Sequence, residues 1–133
     1  MEQFKDIDFA LARLLLNRAL EKRGPITYGA CAKQLSDELG YSVNAHFGLT
    51  YPLLRVGNLC FDLGLPFLTA FVVHKNDITG NAAGQGFYSM VCSFRPEAKS
   101  MPPRTVWKDE LARVRKCSDW SPLSDYLSRH SAT

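Results

Sequence analysis

The sequence is poor in the features that mark membrane, secreted and metal-binding chains. No apolar run approaches the roughly 18 residues that span a bilayer, and the opening Met-Glu-Gln-Phe-Lys lacks the basic start and apolar middle of a signal peptide. No membrane span is expected, and the expected location is the cytoplasm. The four cysteines, Cys31, Cys60, Cys92 and Cys117, lie far apart and form no Cys-x-x-Cys pair, so no zinc site is encoded. In a reducing compartment they are expected to be free thiols in apolar surroundings. His46 and His74 have no Cys, Asp or second His at ligand spacing, and no metal or cofactor is expected. The same scarcity argues against an enzyme. A nucleophile and base drawn from Cys31, Cys60 or Cys92 with His46 or His74 is not encoded by spacing, so no catalytic residue is assigned. Charge of one sign is also sparse: a net +3 permits contact with phosphates without demanding it.

What is present is enough apolar material for one core. With 133 residues, 46% hydrophobic and 22% charged, the chain reads as a single domain over residues 1–133. Ile7, Ala10, Leu11, Leu14, Leu15 and Ala19 recur at helical spacing, with Asp6 or Asp8 to cap the start and Gly24-Pro25 to stop the helix. Thr27 is placed as the N-cap of a second helix over 28–39, ended by Gly40 in a left-handed turn. The connection 41–49 is longer than the tight turn of a minimal helix-turn-helix. Thr50 is read as the cap of a third helix with Pro52 in its first turn, and Leu53, Leu54, Val56, Leu59, Cys60 and Leu63 as its buried face.

After Gly64-Leu65-Pro66, the β-branched and aromatic run 67–73 predicts a strand. The polar, Gly-rich segment 76–86 predicts a loop, and 87–93 a second strand that closes a hairpin. Prolines at 96, 102 and 103 make 95–104 a connector. Val106, Trp107, Leu111 and Val114 then mark a helix with Lys108, Arg113, Arg115 and Lys116 outside, and Asp119-Trp120-Ser121-Pro122 starts a last short one. The expected fold is α+β: a winged helix-turn-helix-like domain with three N-terminal helices, a β-hairpin wing and C-terminal helices.

Three regions offer contacts to a polyanion. On the third helix, Tyr51, Arg55, Asn58 and Asp62 fall at steps of three and four, opposite the apolar face. Arg presents paired donors to guanine and Asn a bidentate match to adenine. At the hairpin tip, Lys75, Asn76, Thr79, Asn81 and Gln85 supply donors, and Gly80 and Gly84 allow close approach to a phosphate. Arg104 with Lys108, Arg113, Arg115 and Lys116 is the most basic local region. For each, an ordinary solvated surface is the alternative. Trp107 and Trp120 have apolar neighbours, which favours packing over base stacking.

The segment Ile26-Thr27-Tyr28-Gly29-Ala30-Cys31-Ala32, followed by a helix and then Leu65-Pro66 before an apolar run, resembles the winged-helix domain of the O6-alkylguanine DNA alkyltransferases and alkyltransferase-like proteins. In that family a Thr-Tyr-Gly-x-x-Ala segment opens the first helix of the DNA-binding pair, which adds Tyr28 to the candidate contacts. The family's reactive Pro-Cys-His-Arg segment would fall near Pro66-Phe67-Leu68-Thr69, where no cysteine stands, so alkyl transfer and base flipping are not carried over. Leu65-Pro66, the run 68–73, Thr79-Gly80, Gly84-x-Gly86-Phe87 and Asp119-Trp120 also look like small bacterial domains found alone or beside HNH nucleases. These resemblances imply a non-catalytic duplex DNA-binding protein of bacterial or phage origin. The alternative is a protein-interaction module on the same scaffold, such as a phage inhibitor or an accessory subunit of a defence system.

Overall fold

A computed structural model describes residues 4–45, 47–74 and 84–130. Among these, the chain forms six α-helices and one pair of short parallel strands, a mostly helical arrangement compatible with an α+β class. Helix α1 spans Asp6–Leu20 and buries Ala10, Leu11, Leu15 and Leu16. Its N-terminus is closed by the Asp8 carboxylate, which accepts the Lys5 backbone N–H at 2.8 Å. Strand β1 is Ile26–Thr27. Helix α2, Tyr28–Leu39, starts at the Thr27 N-cap, whose side chain accepts the Ala30 N–H, and stops at Gly40 with φ 78°. A left-handed φ of this kind is where glycine avoids a steric penalty. Helix α3 is Thr50–Asp62, with Leu49 rather than Thr50 at the N-cap position.

The run 67–73 is not one extended strand. Leu68–Phe71 is a 3-10 turn with every side chain buried, and only Val72–Val73, strand β2, is extended. β2 pairs in parallel with β1, Ile26 opposite Val72 and Thr27 opposite Val73. The hairpin partner expected over 87–93 is instead part of helix α4, Gly84–Phe94. The reason lies in its spacing: Phe87, Met90 and Val91 are buried and Phe94 half-buried, while Ser89 and Ser93 are exposed. The pattern i, i+3, i+4, i+7 belongs to a helix, and β-propensity loses to the burial it permits. The expected β-hairpin wing is thereby replaced by a parallel strand pair and a helix. Its tip, including Lys75, Asn76, Thr79, Gly80 and Asn81, lies outside the described residues.

A second 3-10 turn, Pro96–Ser100, leads to helix α5, Pro103–Lys116, and helix α6, Ser121–His130. Helix α1 is central and packs on α2, α3, α6 and the 3-10 turn at 68–71, while α5 packs on α4 and that same turn. Phe67, Phe71, Leu11, Leu15, Leu35 and Leu123 are the bulkiest apolar side chains at full burial. Burying each such side chain is worth about 1.5–3 kcal/mol.

Glu110 fixes α5 to this core. Its buried carboxylate accepts the Phe67 N–H at 2.9 Å and a hydrogen bond from Arg95, and the Arg95 guanidinium lies 5.3 Å from the centroid of the Phe67 ring. The Trp107 indole N–H donates to the Ala70 carbonyl at 2.9 Å, a second link from α5 to the 3-10 turn. No helix among the described residues is long and apolar enough to cross a membrane.

Candidate nucleic-acid interface

Helix α3 does not present the expected face. Tyr51, Asn58 and Asp62 are exposed, but Arg55 turns inward, where its Nε donates to the fully buried Asp8 carboxylate at 2.6 Å. A carboxylate buried against α1 needs a compensating cation, and Arg55 is the one that reaches it. The outer surface of α3 therefore combines the polar Asn58 and Asp62 with aromatic and apolar side chains. Tyr51 is 63% exposed, Leu54 42% and Phe61 41%, and Phe47 in the preceding turn is 79% exposed. Leu54, expected to be buried, belongs to this outer stripe. The arginine expected to read guanine instead holds two helices together.

Tyr28 opens α2 half-buried, with its ring stacked on that of His74 at 4.5 Å between centroids. Burial pushes its phenol above the ordinary value of 10.0. His74 ends the described part of the β2 segment, and His46 lies outside the described residues. Among the described residues no group of three or more His, Cys, Asp or Glu side chains is placed to hold a metal ion. Cys31, Cys60 and Cys92 are buried free thiols, and Cys117 is partly exposed. Burial pushes Cys31 and Cys60 up to about 12 from the ordinary 9.0, which removes them as nucleophiles near neutral pH.

The remaining candidate, Arg104, is exposed at the second position of α5, and it belongs to a coherent surface. At about 100° per residue, Arg104, Lys108 and Arg115 fall within about 40° of one another around the helix axis, forming a stripe about 16 Å long. All three are exposed. Arg113 stands apart, 3.6 Å from the Glu110 carboxylate.

One of these cations, Arg104, is locally unfavourable. Arg104 and Lys108 lie in the N-terminal half of α5, whose first turn carries no acidic residue, so at least Arg104 faces the positive end of the helix dipole. A cation there costs about 0.3–1 kcal/mol unless an external anion offsets it. Arg113, Arg115 and Lys116 in the last turn suit the negative end.

Lys108 and Arg115 of this stripe line an open groove of about 670 Å³ together with Pro25, Trp107, Leu111, Ala112 and Lys116. Leu111 and Trp107 form its inner side from α5, and Pro25 the opposite wall. That wall is held by Arg18 near the end of α1. Its guanidinium donates to the Gly24 carbonyl at 2.9 and 2.6 Å and to the Pro25 carbonyl at 3.1 Å. The same turn exposes Lys22 and Arg23, the latter 3.8 Å from Glu21. The cavity thus has an apolar floor and a cationic rim.

The basic cluster is evident in the sequence, but the cavity beside it is not. The stripe is encoded in the i, i+4, i+11 spacing of Arg104, Lys108 and Arg115. No local pattern pairs Pro25 with a helix some eighty residues later. Trp107 does pack through its N–H edge, as expected, but it also lines the cavity.

Comparison of the chain with protein-family models, with curated proteins and with solved structures returns no match.

Proposed function

We propose that this protein is a non-catalytic nucleic-acid-binding protein whose phosphate-contacting surface is helix α5 and not helix α3. The observation that carries the reading is the exposed stripe of Arg104, Lys108 and Arg115 along α5, the last two of which line an open groove. Arg104 stands where the helix dipole disfavours a cation, and the exposed Lys108 and Arg115 aligned with it extend a row of positive charge that a polyanion offsets. Within this reading Tyr51, Asn58 and Tyr28 are not contacts, and Arg55 is structural.

The test is fluorescence anisotropy with a labelled 20-mer at low salt. Lys108→Glu with Arg115→Glu should weaken binding at least about tenfold, because each reversal replaces an attraction to phosphate with a repulsion. Tyr51→Ala with Asn58→Ala should leave affinity within about twofold. The reverse ranking would return the contact surface to α3.

A second reading is favoured by a separate observation, the exposed Phe47 in the turn before α3 and the exposed Tyr51, Leu54 and Phe61 on that helix. Large apolar side chains left exposed together on one element are a feature of protein–protein contact surfaces. On this reading the domain is an interaction module. Absence of any shift on random duplex at low salt, with partner association lost in Tyr51→Glu and Leu54→Glu, would select it.

A further inference from the structure

We infer that the cavity beside α5 receives an unstacked base, which makes single-stranded polynucleotide the preferred ligand; this rests on the proposed polynucleotide reading and names its substrate class. Three observations converge. The lining is apolar and in part aromatic at Pro25, Trp107, Leu111 and Ala112, while Lys108, Arg115 and Lys116 add charged side chains to it. Apolar rings fit the former and phosphates the latter, the division found in a single strand but not on the outside of a duplex. In a duplex the rings are stacked inside, and only sugars and phosphates would reach the rim.

The indole of Trp107 is pre-oriented. Its N–H is held by the Ala70 carbonyl at 2.9 Å, so the ring is fixed against the core and needs no ordering when a base arrives. The opposite wall is equally fixed, because Arg18 clamps both carbonyls of Gly24-Pro25. The groove, about 670 Å³ and open to solvent, leaves space for a base with its sugar to lie against it. The stripe runs about 16 Å along α5, the reach of roughly five stacked nucleotides, so backbone on either side of the seated base meets Arg104, Lys108 or Arg115. Stacking is indifferent to base identity, so little sequence preference is expected.

The chain has two tryptophans, and Trp120 is buried, so Trp120→Phe leaves Trp107 as the only indole reporter. This variant is titrated with oligo-dT of 12 nucleotides, a blunt 12-base-pair duplex and inorganic polyphosphate. Oligo-dT should quench Trp107 fluorescence in a saturable way and bind at least about tenfold tighter than the duplex. Polyphosphate should bind without quenching. Ala112→Phe, which puts a bulky side chain into the groove without changing charge, should bring oligo-dT affinity down to the duplex level and leave polyphosphate binding unchanged. If Trp120→Phe does not fold, the ratio of oligo-dT to duplex affinity, measured in the native chain and in Ala112→Phe, decides the matter.

Equal affinity for duplex and oligo-dT with no effect of Ala112→Phe overturns the base site while leaving the polynucleotide reading intact. Binding of polyphosphate alone, or of nothing, overturns both.

Discussion

Arg55 and Asp8 show how one charge decides the use of a whole helix. The Asp8 side chain is fully buried and that of Arg55 only 10% exposed, so neither is available to a ligand and each depends on the other. Arg55→Ala would leave the carboxylate without its cation, at a cost of about 3–5 kcal/mol. Urea denaturation should report that loss, and polynucleotide affinity of the folded fraction should be unchanged. Loss of affinity without loss of stability would mean that Arg55 acts at the surface after all.

The buried thiols make a pH prediction at the same scale. Cys31 and Cys60 are pushed up to about 12 from 9.0 because burial penalises the thiolate. A raised value in the folded chain means that the stabilisation is complete below 9.0 and is lost as pH climbs from 9.0 towards 12. Stability measured by denaturant should therefore fall with alkaline pH, by up to about 1.4 kcal/mol per pH unit per thiol, and the double variant Cys31→Ala, Cys60→Ala should show a shallower decline. An identical slope in both proteins would contradict the assignment.

At the scale of elements, α5 reaches the core through Glu110, whose carboxylate binds the Phe67 N–H and Arg95. Glu110→Ala orphans a buried N–H and strips Arg95 of its partner, so a destabilisation of roughly 3–5 kcal/mol is expected. The α3–α4 contact makes a different demand. A Cβ on the buried Gly57 would meet the thioether end of Met90, so the Met90 side chain from α4 fills the space beside this glycine. Gly57→Leu should lower stability by about 1–3 kcal/mol through overpacking, measured by thermal unfolding. A neutral effect would mean that α4 moves freely on α3.

These elements also differ in how legible they are in the sequence. Helices α1 and α2 are readable almost to the residue, because the spacing of Ala10, Leu11 and Leu15, the Thr27 cap and the Gly40 stop are all local signals. The segment 87–93 reads as a strand because Tyr88, Val91 and the neighbouring Phe residues favour strands intrinsically, while the helical spacing of Phe87, Met90, Val91 and Phe94 is the stronger signal. The run 67–73 misleads in the same way because its apolar residues satisfy burial equally well in a 3-10 turn. The inward turn of Arg55 is not legible at all. Asp8 lies 47 residues earlier, and nothing local pairs them. Likewise the basic residues of α5 are visible in the sequence, but the cavity they rim needs Pro25 from the far end of the chain.

Over the whole molecule, the distribution of charge tells more than its total. A net +3 is modest, yet α5 carries Arg104, Lys108, Arg115 and Lys116 exposed while the exposed face of α3 carries aromatic and apolar side chains. The two faces suit different partners, and the proposed phosphate contact belongs to the first. The most direct test is the salt dependence of polynucleotide affinity. For the native chain, log affinity plotted against log salt concentration should fall linearly. Replacing Arg104, Lys108 and Arg115 together by alanine should reduce the slope by about 2–3 units, since each phosphate contact contributes about 0.7 on a single strand and about 0.9 on a duplex. A slope unchanged by the triple replacement, or no binding at low salt by the native chain, would contradict the assignment of α5 as the phosphate-contacting surface.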